Sequence, residues 1–196
     1  MELNDNIFRA NDIRGIAFED LTEEVVFSLG KALGTESIIR KQDNFIIGRD
    51  GRVSSPQLFE WISQGVLATG CNVIDIGVVP SPVFYHSTFC LNSSSGVVIT
   101  GSHNPSDYNG FKILFDNNST SSEEIQSIKK RVKEENFLSG KGNIQSLDVI
   151  ENYIKDVTNN IKLKRPLNIS IDCGNGAAGV VAERIYKSLG CQVQGL

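Results

Sequence analysis

Residues 97–115 read VVITGSHNPSDYNGFKILF: an apolar run, a knot of polar side chains, and a second apolar run. Val97, Val98 and Ile99 are β-branched and read as a short buried strand. Apolar character resumes over residues 110–115, after the turn-forming dipeptide Asn109-Gly110. Between the two runs, Gly101-Ser102-His103-Asn104-Pro105 crowds a hydroxyl, an imidazole and an amide onto one tight turn. The stretch therefore predicts strand, presented polar loop, strand. In an open α/β sheet, a loop at the carboxyl end of a strand is where ligands gather.

Helix signals flank this unit. In LTEEVVFSLGKALG (21–34), Thr22 caps, Val25, Leu29, Ala32 and Leu33 share one face, and Gly34 stands where a left-handed stop belongs. In SSPQLFEWISQGVLATG (54–70), Ser55 caps, Pro56 opens the first turn and Gly70 closes the helix. Ser121 and Glu124 have capping-box spacing, and Ile125, Ile128 and Val132 form the buried stripe of a helix whose other face is charged. Between the helices lie the strands NFIIG, NVIDIG, GVVIT and GFKILF. This alternation predicts an α/β fold: a three-layer α/β/α domain with a mixed sheet, one pair being antiparallel through Asn109-Gly110.

A second, similar α/β unit is expected to begin later. LSGKGNIQS (138–146) reads as a linker, followed by a helix carrying Leu147, Ile150, Ile154, Val157 and Ile161, until Pro166 breaks it. Residues 167–196 then echo residues 44–77. Both read strand, Asp with a glycine turn, helix, and a Gly-Cys-x-Val strand, which points to a diverged internal duplication. Residues 1–148 are therefore expected to form the first domain, and 149–196 a linker helix and the incomplete start of a second. On this reading the chain is expected to be cut short.

Composition narrows the classes. The chain has 196 residues, 40% of them hydrophobic and 21% charged, with a net charge of −4, which gives no footprint for nucleic acid. The N-terminus carries no apolar signal region, and no run approaches the roughly 18 apolar residues of a membrane span, so a cytoplasmic location is expected. Cys71, Cys90, Cys173 and Cys191 show no C-x-x-C spacing and no partnering histidines, which predicts neither a metal cluster nor a disulfide framework. Gly174, Gly176 and Gly179 spell a dinucleotide fingerprint. However, the acidic residue it requires about 20 positions on is replaced by Gln192, Val193 and Gln194, and Asp172 sets a negative charge before the loop. A tight strand-to-helix connection is the simpler reading.

For the loop itself, a plain turn accounts for Gly101 and Pro105, but not for His103 beside Ser102 or for Lys112 in an apolar strand. A serine hydrolase fits poorly. Ser102 and His103 are sequence neighbours whose side chains are not expected to face each other, the motif is not G-x-S-x-G, and His86 lies in an apolar segment. Phosphoryl transfer through Ser102 would need cations around a group that gains about 1.5 to 2 negative charges, and Lys112, Arg9 and Arg14 are candidates. Spacing alone does not choose between these readings.

TGSHNPSDYNGFK resembles the active-site serine loop of the α-D-phosphohexomutases, in the branch containing phosphomannomutase/phosphoglucomutase. FRANDIRG (8–15), GRDGR (48–52), DIGVVPSPVFY (75–85) and IDCGNGAAG (171–179) are also similar to that family and follow its order. The resemblance implies that Ser102 is a phosphoserine that donates its phosphoryl group to a hexose monophosphate. A 1,6-bisphosphate intermediate then returns the other phosphate. It further implies that Mg²⁺ binds the serine phosphate, that glucose 1,6-bisphosphate is the activator, and that His103, Lys112 and Arg14 surround the reacting hydroxyl, with Lys112 moving its proton. Asn11, Arg14, Asn104 and Lys112 are the implied substrate contacts. Asn11 stands where relatives often have Tyr, and no D-x-D-x-D metal loop occurs in the chain, so the other Mg²⁺ ligands are expected beyond its end. Phosphoglucosamine mutases, a milder alternative, tend to carry alanine where Gly101 stands. The competing class is a non-catalytic module whose unfinished second sheet invites self-association.

Overall fold

A computed structural model describes residues 3–91 and 93–196. The elements run β1 (Ile13–Ile16), α1 (Glu23–Ile39), β2 (Asn44–Arg49), α2 (Ser55–Leu67), β3 (Asn72–Val78), α3 (Ser81–Cys90), β4 (Gly96–Ile99) and β5 (Tyr108–Phe115). They continue with β6 (Asn118–Ser119), α4 (Ser122–Lys133), β7 (Ile144–Ser146), α5 (Ile150–Asn160), β8 (Asn168–Ile171), α6 (Ala182–Ser188) and β9 (Gln192–Gly195). One sheet has the order β1-β5-β4-β2-β3-β7, with β6 hairpinned onto β5. Strands β4, β2, β3 and β7 pair in parallel, whereas β5 is antiparallel to both neighbours. The sheet is therefore mixed, as expected.

Alternation along the strands sorts their side chains onto two faces. Phe45, Ile47, Val97, Ile99, Phe111 and Ile113 pack under α1, α2 and α4, whose Leu29, Ile62 and Ile128 join the same core. Ile46, Ile74, Val98 and Leu114 point the other way, onto Val83 and Phe84 of α3 and Ile154 of α5. The result is the expected three-layer α/β/α arrangement. Beyond it, β8 and β9 pair in parallel around α6, the same strand-helix-strand order as β2-α2-β3.

Several local expectations are corrected. Helix α1 does not stop at Gly34 but runs to Ile39. A Cβ on Gly34 would stand 2.5 Å from Thr69 Oγ1, and Gly30 and Gly65 sit so close across α1 and α2 that a Cβ on Gly65 would stand 2.2 Å from the Phe27 carbonyl oxygen. The glycines are therefore contact points between two helices. Ser55 is inside α2, with Ser54 before it, and its Oγ donates to Asp50 Oδ1 instead of capping. Asn109-Gly110 is not the turn: both residues lie inside β5, and buried Asn109 donates to Ser54 Oγ and Ser55 Oγ. The linker 138–146 contains β7, which adds a parallel edge to the main sheet, and α5 excludes Leu147 and Ile161. The capping box at Ser121 and Glu124 is present as read. All four cysteines are free. No helix among the described residues is long and apolar enough to cross a membrane.

The close α1–α2 crossing generates a stability prediction. Ala is about 1 kcal/mol better than Gly within a helix, but overpacking against a backbone carbonyl costs about 1–3 kcal/mol. Gly65→Ala should therefore lower the urea midpoint, with a net loss of up to about 2 kcal/mol. An unchanged or raised midpoint would show that the two helices can separate freely.

Candidate active site

Arg49 pairs with Val78 on one side and Ile99 on the other, so β2, β3 and β4 end at one level. The loops that leave these ends, at residues 50–53, 79–81 and 100–104, line a cavity of about 800 Å³. Residues 174–178 of the second strand-helix-strand unit complete its lining. The G-x-G turn at Gly174 thus faces the same space as Ser102.

The serine loop is shaped by Arg52. Its Nη1 donates to the carbonyls of Pro105 at 2.6 Å and Tyr108 at 2.9 Å, and its Nη2 to those of Asn104 at 2.6 Å and Ser102 at 3.3 Å. Asp50 closes the grip from beneath. Its Oδ2 accepts from the Gly101 amide at 3.1 Å and lies 3.5 Å from Arg52 Nε, while its Oδ1 accepts from the Arg52 amide and Ser55 Oγ. The guanidinium lies flat against the chain at Gly101, where a Cβ would stand 2.3 Å from Arg52 Cζ. Thr100 Oγ1 then accepts from the Ser102 amide at 2.9 Å. Held this way, Ser102 takes a left-handed φ of 54°, a conformation that costs a non-glycine residue about 1 kcal/mol or more. Its side chain is exposed on the cavity.

The neighbouring predicted residues divide into two sets. His103 also lies on the lining, and its Nδ1 is 3.5 Å from Ser102 Oγ, so the two side chains do approach each other, contrary to expectation; the left-handed turn brings them together. Asn104 Oδ1 accepts from Arg14 Nη1 at 2.7 Å. Arg14 is only 7% exposed, its Nη2 meets Asp12 Oδ2 at 2.5 Å, and its Nε has no partner among the described residues. β1 carries it opposite Gly110, where the absence of a side chain leaves room. Lys112 stands two residues along β5 on that same face, opposite Val98, half-buried and with no hydrogen bond or ion pair among the described residues. Neither Lys112 nor exposed Asn11 is on the cavity lining. Ser102, His103 and Asn104 thus face the cavity; Arg14 is also off its lining but joins them through its hydrogen bond to Asn104, whereas Lys112 and Asn11 have no such link among the described residues.

Sequence reasoning missed Asp50 and Arg52, reading GRDGR as a turn. The available signal was a pair of opposite charges set directly after a buried strand. Asp50 is the one acidic side chain on the cavity lining among the described residues, and its oxygens are already taken. The chain's own residues therefore do not form a hard-cation cage at Ser102, since such a site needs several free oxygen ligands.

The chain matches the family model described as Phosphoglucomutase/phosphomannomutase, alpha/beta/alpha domain I, over residues 5–139. It is 43% identical over 191 residues to a phosphomannomutase/phosphoglucomutase of Pseudomonas syringae pv. tomato, covering 97% of this chain and 41% of that protein. It is 40% identical over 190 residues to a phosphoglucomutase of Neisseria meningitidis serogroup B, again covering 96% of the chain and 41% of the relative. Among solved structures, a phosphoglucomutase/phosphomannomutase family protein of Burkholderia thailandensis superposes with a TM-score of 0.95 at 38% identity, covering all of this chain and 44% of that one. A Paramecium phosphoglucomutase, at 14% identity and a TM-score of 0.71, shares the fold. The chain thus spans about 41% of the length of the curated relatives it matches.

The Arg52 grip yields a direct test. Arg52→Ala frees four carbonyls, and charge-assisted hydrogen bonds contribute about 1.5–3 kcal/mol. Amide exchange at Ser102 and Asn104 should rise about 10- to 100-fold while exchange in β2 and β4 is unchanged. Arg52→Lys should restore little, because an ammonium cannot span four acceptors laid out for a planar fork. Unaltered loop exchange in Arg52→Ala would show that the loop holds its own shape.

Proposed function

The chain belongs to the phosphoglucomutase/phosphomannomutase family, and we propose that it carries the phosphoserine of an enzyme interconverting hexose 6-phosphate and hexose 1-phosphate. Residues 1–148 serve as the serine-loop domain, and residues 149–196 as the linking helix and start of a second domain. The observation that carries this reading is Ser102 itself: exposed on a cavity, held at φ 54° by a loop whose carbonyls are tied down, and next to a loop side chain bonded by buried Arg14. A hydroxyl presented at such cost suits repeated covalent use.

In this reading the phosphoryl group on Ser102 passes to a free hydroxyl of the bound hexose monophosphate. The serine O–P bond breaks, a sugar O–P bond forms, and the sugar hydroxyl's proton passes by way of Lys112, which lies off the cavity lining on the Arg14 face of β5, to Ser102 Oγ, which leaves as a neutral hydroxyl. The 1,6-bisphosphate then reverses in the cavity, and its other phosphate returns to Ser102 with opposite bond changes. Arg14, bonded to Asn104, ion-paired with Asp12 and with a buried Nε left unpaired, supplies a fixed donor near the loop, and pre-oriented donors are much of what phosphoryl transfer asks of a protein. His103, within 3.5 Å of Ser102 Oγ, supports the charge on the transferring group. Asn104, on the cavity lining, is the proposed sugar contact, and Asn11, which is off the lining, is assigned that role by the family resemblance alone.

Family members are generally Mg²⁺-dependent. Among the described residues the cavity offers the ion only the oxygens of a phosphate on Ser102, since the oxygens of Asp50 are already taken. Glucose 1,6-bisphosphate is the proposed activator, since it regenerates the phosphoserine. A phosphoglucosamine mutase is less favoured, because such relatives tend to carry alanine where Gly101 stands in this chain.

In the protein that carries this chain, Ser102→Ala should abolish mutase turnover in a coupled assay, and phosphopeptide mapping after incubation with glucose 1,6-bisphosphate should find phosphate on Ser102. Normal turnover by Ser102→Ala, or phosphate elsewhere, overturns the assignment. Residues 1–196 alone should turn over hexose phosphates negligibly, because this segment does not position both phosphates of the bisphosphate.

A further inference from the structure

Away from the cavity, the described residues bring together one set of mixed metal-ligand atoms, on His86, Cys90 and Asp156. His86 and Cys90 are one turn apart on α3 and share a face, and Asp156 reaches them from α5 alongside. His86 Nε2 lies 2.8 Å from Asp156 Oδ2 and 3.5 Å from Cys90 Sγ, and all three ligand atoms fall within 4.8 Å of one another. The imidazole is braced edge-on by Tyr153, with ring centroids 5.3 Å apart. The sequence reading found no histidine partnering the cysteines; His86 and Cys90 stand four positions apart on one helix and Asp156 comes from another, so only the helical turn and the α3–α5 packing reveal the set.

We propose that His86, Cys90 and Asp156 bind Zn²⁺, with water in the fourth position. A tetrahedral zinc about 2.3 Å from sulfur and about 2.0 Å from nitrogen sets those two atoms about 3.5 Å apart, which matches their separation; because Sγ also lies 3.7 Å from Nδ1, the Cys90 side chain must turn toward the Nε2 lone pair to share the ion. The carboxylate needs to retreat by only about 0.5 Å, exchanging its hydrogen bond to the imidazole for a bond to the ion. One thiolate and one carboxylate neutralise the dication, and imidazole with thiolate favours zinc over the harder Mg²⁺ and Ca²⁺. Cys90 and Asp156 are exposed, which leaves an entry path and room for the water. Desolvation, and after it the charge of Asp156, hold the Cys90 thiol above its ordinary pKa. The Cys90 thiol loses its proton to solvent when the metal–sulfur bond forms. Once bound, the ion ties α3 to α5. None of the three residues lines the Ser102 cavity, so the proposal stands independently of the phosphomutase reading.

The test titrates the metal-free 196-residue chain with Co²⁺, then Zn²⁺. One equivalent of Co²⁺ should give tetrahedral ligand-field bands and a thiolate-to-cobalt charge-transfer band, both removed by one equivalent of Zn²⁺. Cys90→Ser should abolish the charge-transfer band and weaken Zn²⁺ binding at least about 100-fold, the upper end of what losing even an outer-shell partner costs. Asp156→Asn should weaken binding without removing that band, and Cys173→Ser should change neither. Zn²⁺ should raise the melting temperature of the unsubstituted chain and not that of Cys90→Ser. Absence of stoichiometric binding, or binding and a charge-transfer band that survive Cys90→Ser, overturns the site.

Discussion

The alignment of the carboxyl ends of β2, β3 and β4, reached on the β3 side through a bulge between Ile47 and Arg49, governs the rest of this molecule. Because Arg49 is paired with both Val78 and Ile99, three parallel strands deliver their carboxyl ends to one level, and the three following loops are forced into one space. A slip by one residue would reverse the alternation of Phe45, Ile46 and Ile47, turning each core residue toward the wrong helical layer. Burial on both faces therefore fixes the register, and the register fixes the cavity. The antiparallel strands complete the arrangement, since β5 carries Gly110 beside Thr100 and β1 lays Arg14 over that gap.

The site shows a division between what is rigid and what is reactive. Asp50, Arg52, Thr100 and Gly101 act on backbone, whereas Ser102, His103 and Asn104 offer side chains to the cavity. Arg14 crosses the division, being buried like a structural residue but bonded to Asn104 like a functional one. Such crossing is expected where charge must be present in a fixed orientation before a substrate arrives, because a cation free to relax would stabilise charge less.

Much of this was legible in the sequence, and the exceptions share a cause. The strands over residues 44–48, 72–77, 96–100 and 110–115 announce themselves by β-branched runs, and the helix at Ser121 by its reciprocal cap. The reactive serine was visible because a polar loop after a buried strand has few bland explanations. What stayed hidden depended on distant partners. Gly34 reads as a stop until α2 is known to pass beside it, and Asn109-Gly110 reads as a turn until Ser54 and Ser55 are placed to receive the buried amide. β7 has all three residues exposed and so lacks a hydrophobic signature. Arg52 acts some fifty positions away on carbonyls, which every residue possesses and no sequence pattern marks.

That last property has an evolutionary reading. A guanidinium that recognises peptide oxygens is indifferent to the side chains those peptides bear, so the contour of the loop and the identity of its reactive groups are encoded at separate positions. Descendants of such a scaffold could exchange residues 102–104 for other chemistries without first rediscovering how to bend the chain. Conversely, the guanidinium and its glycine bed could change only in concert.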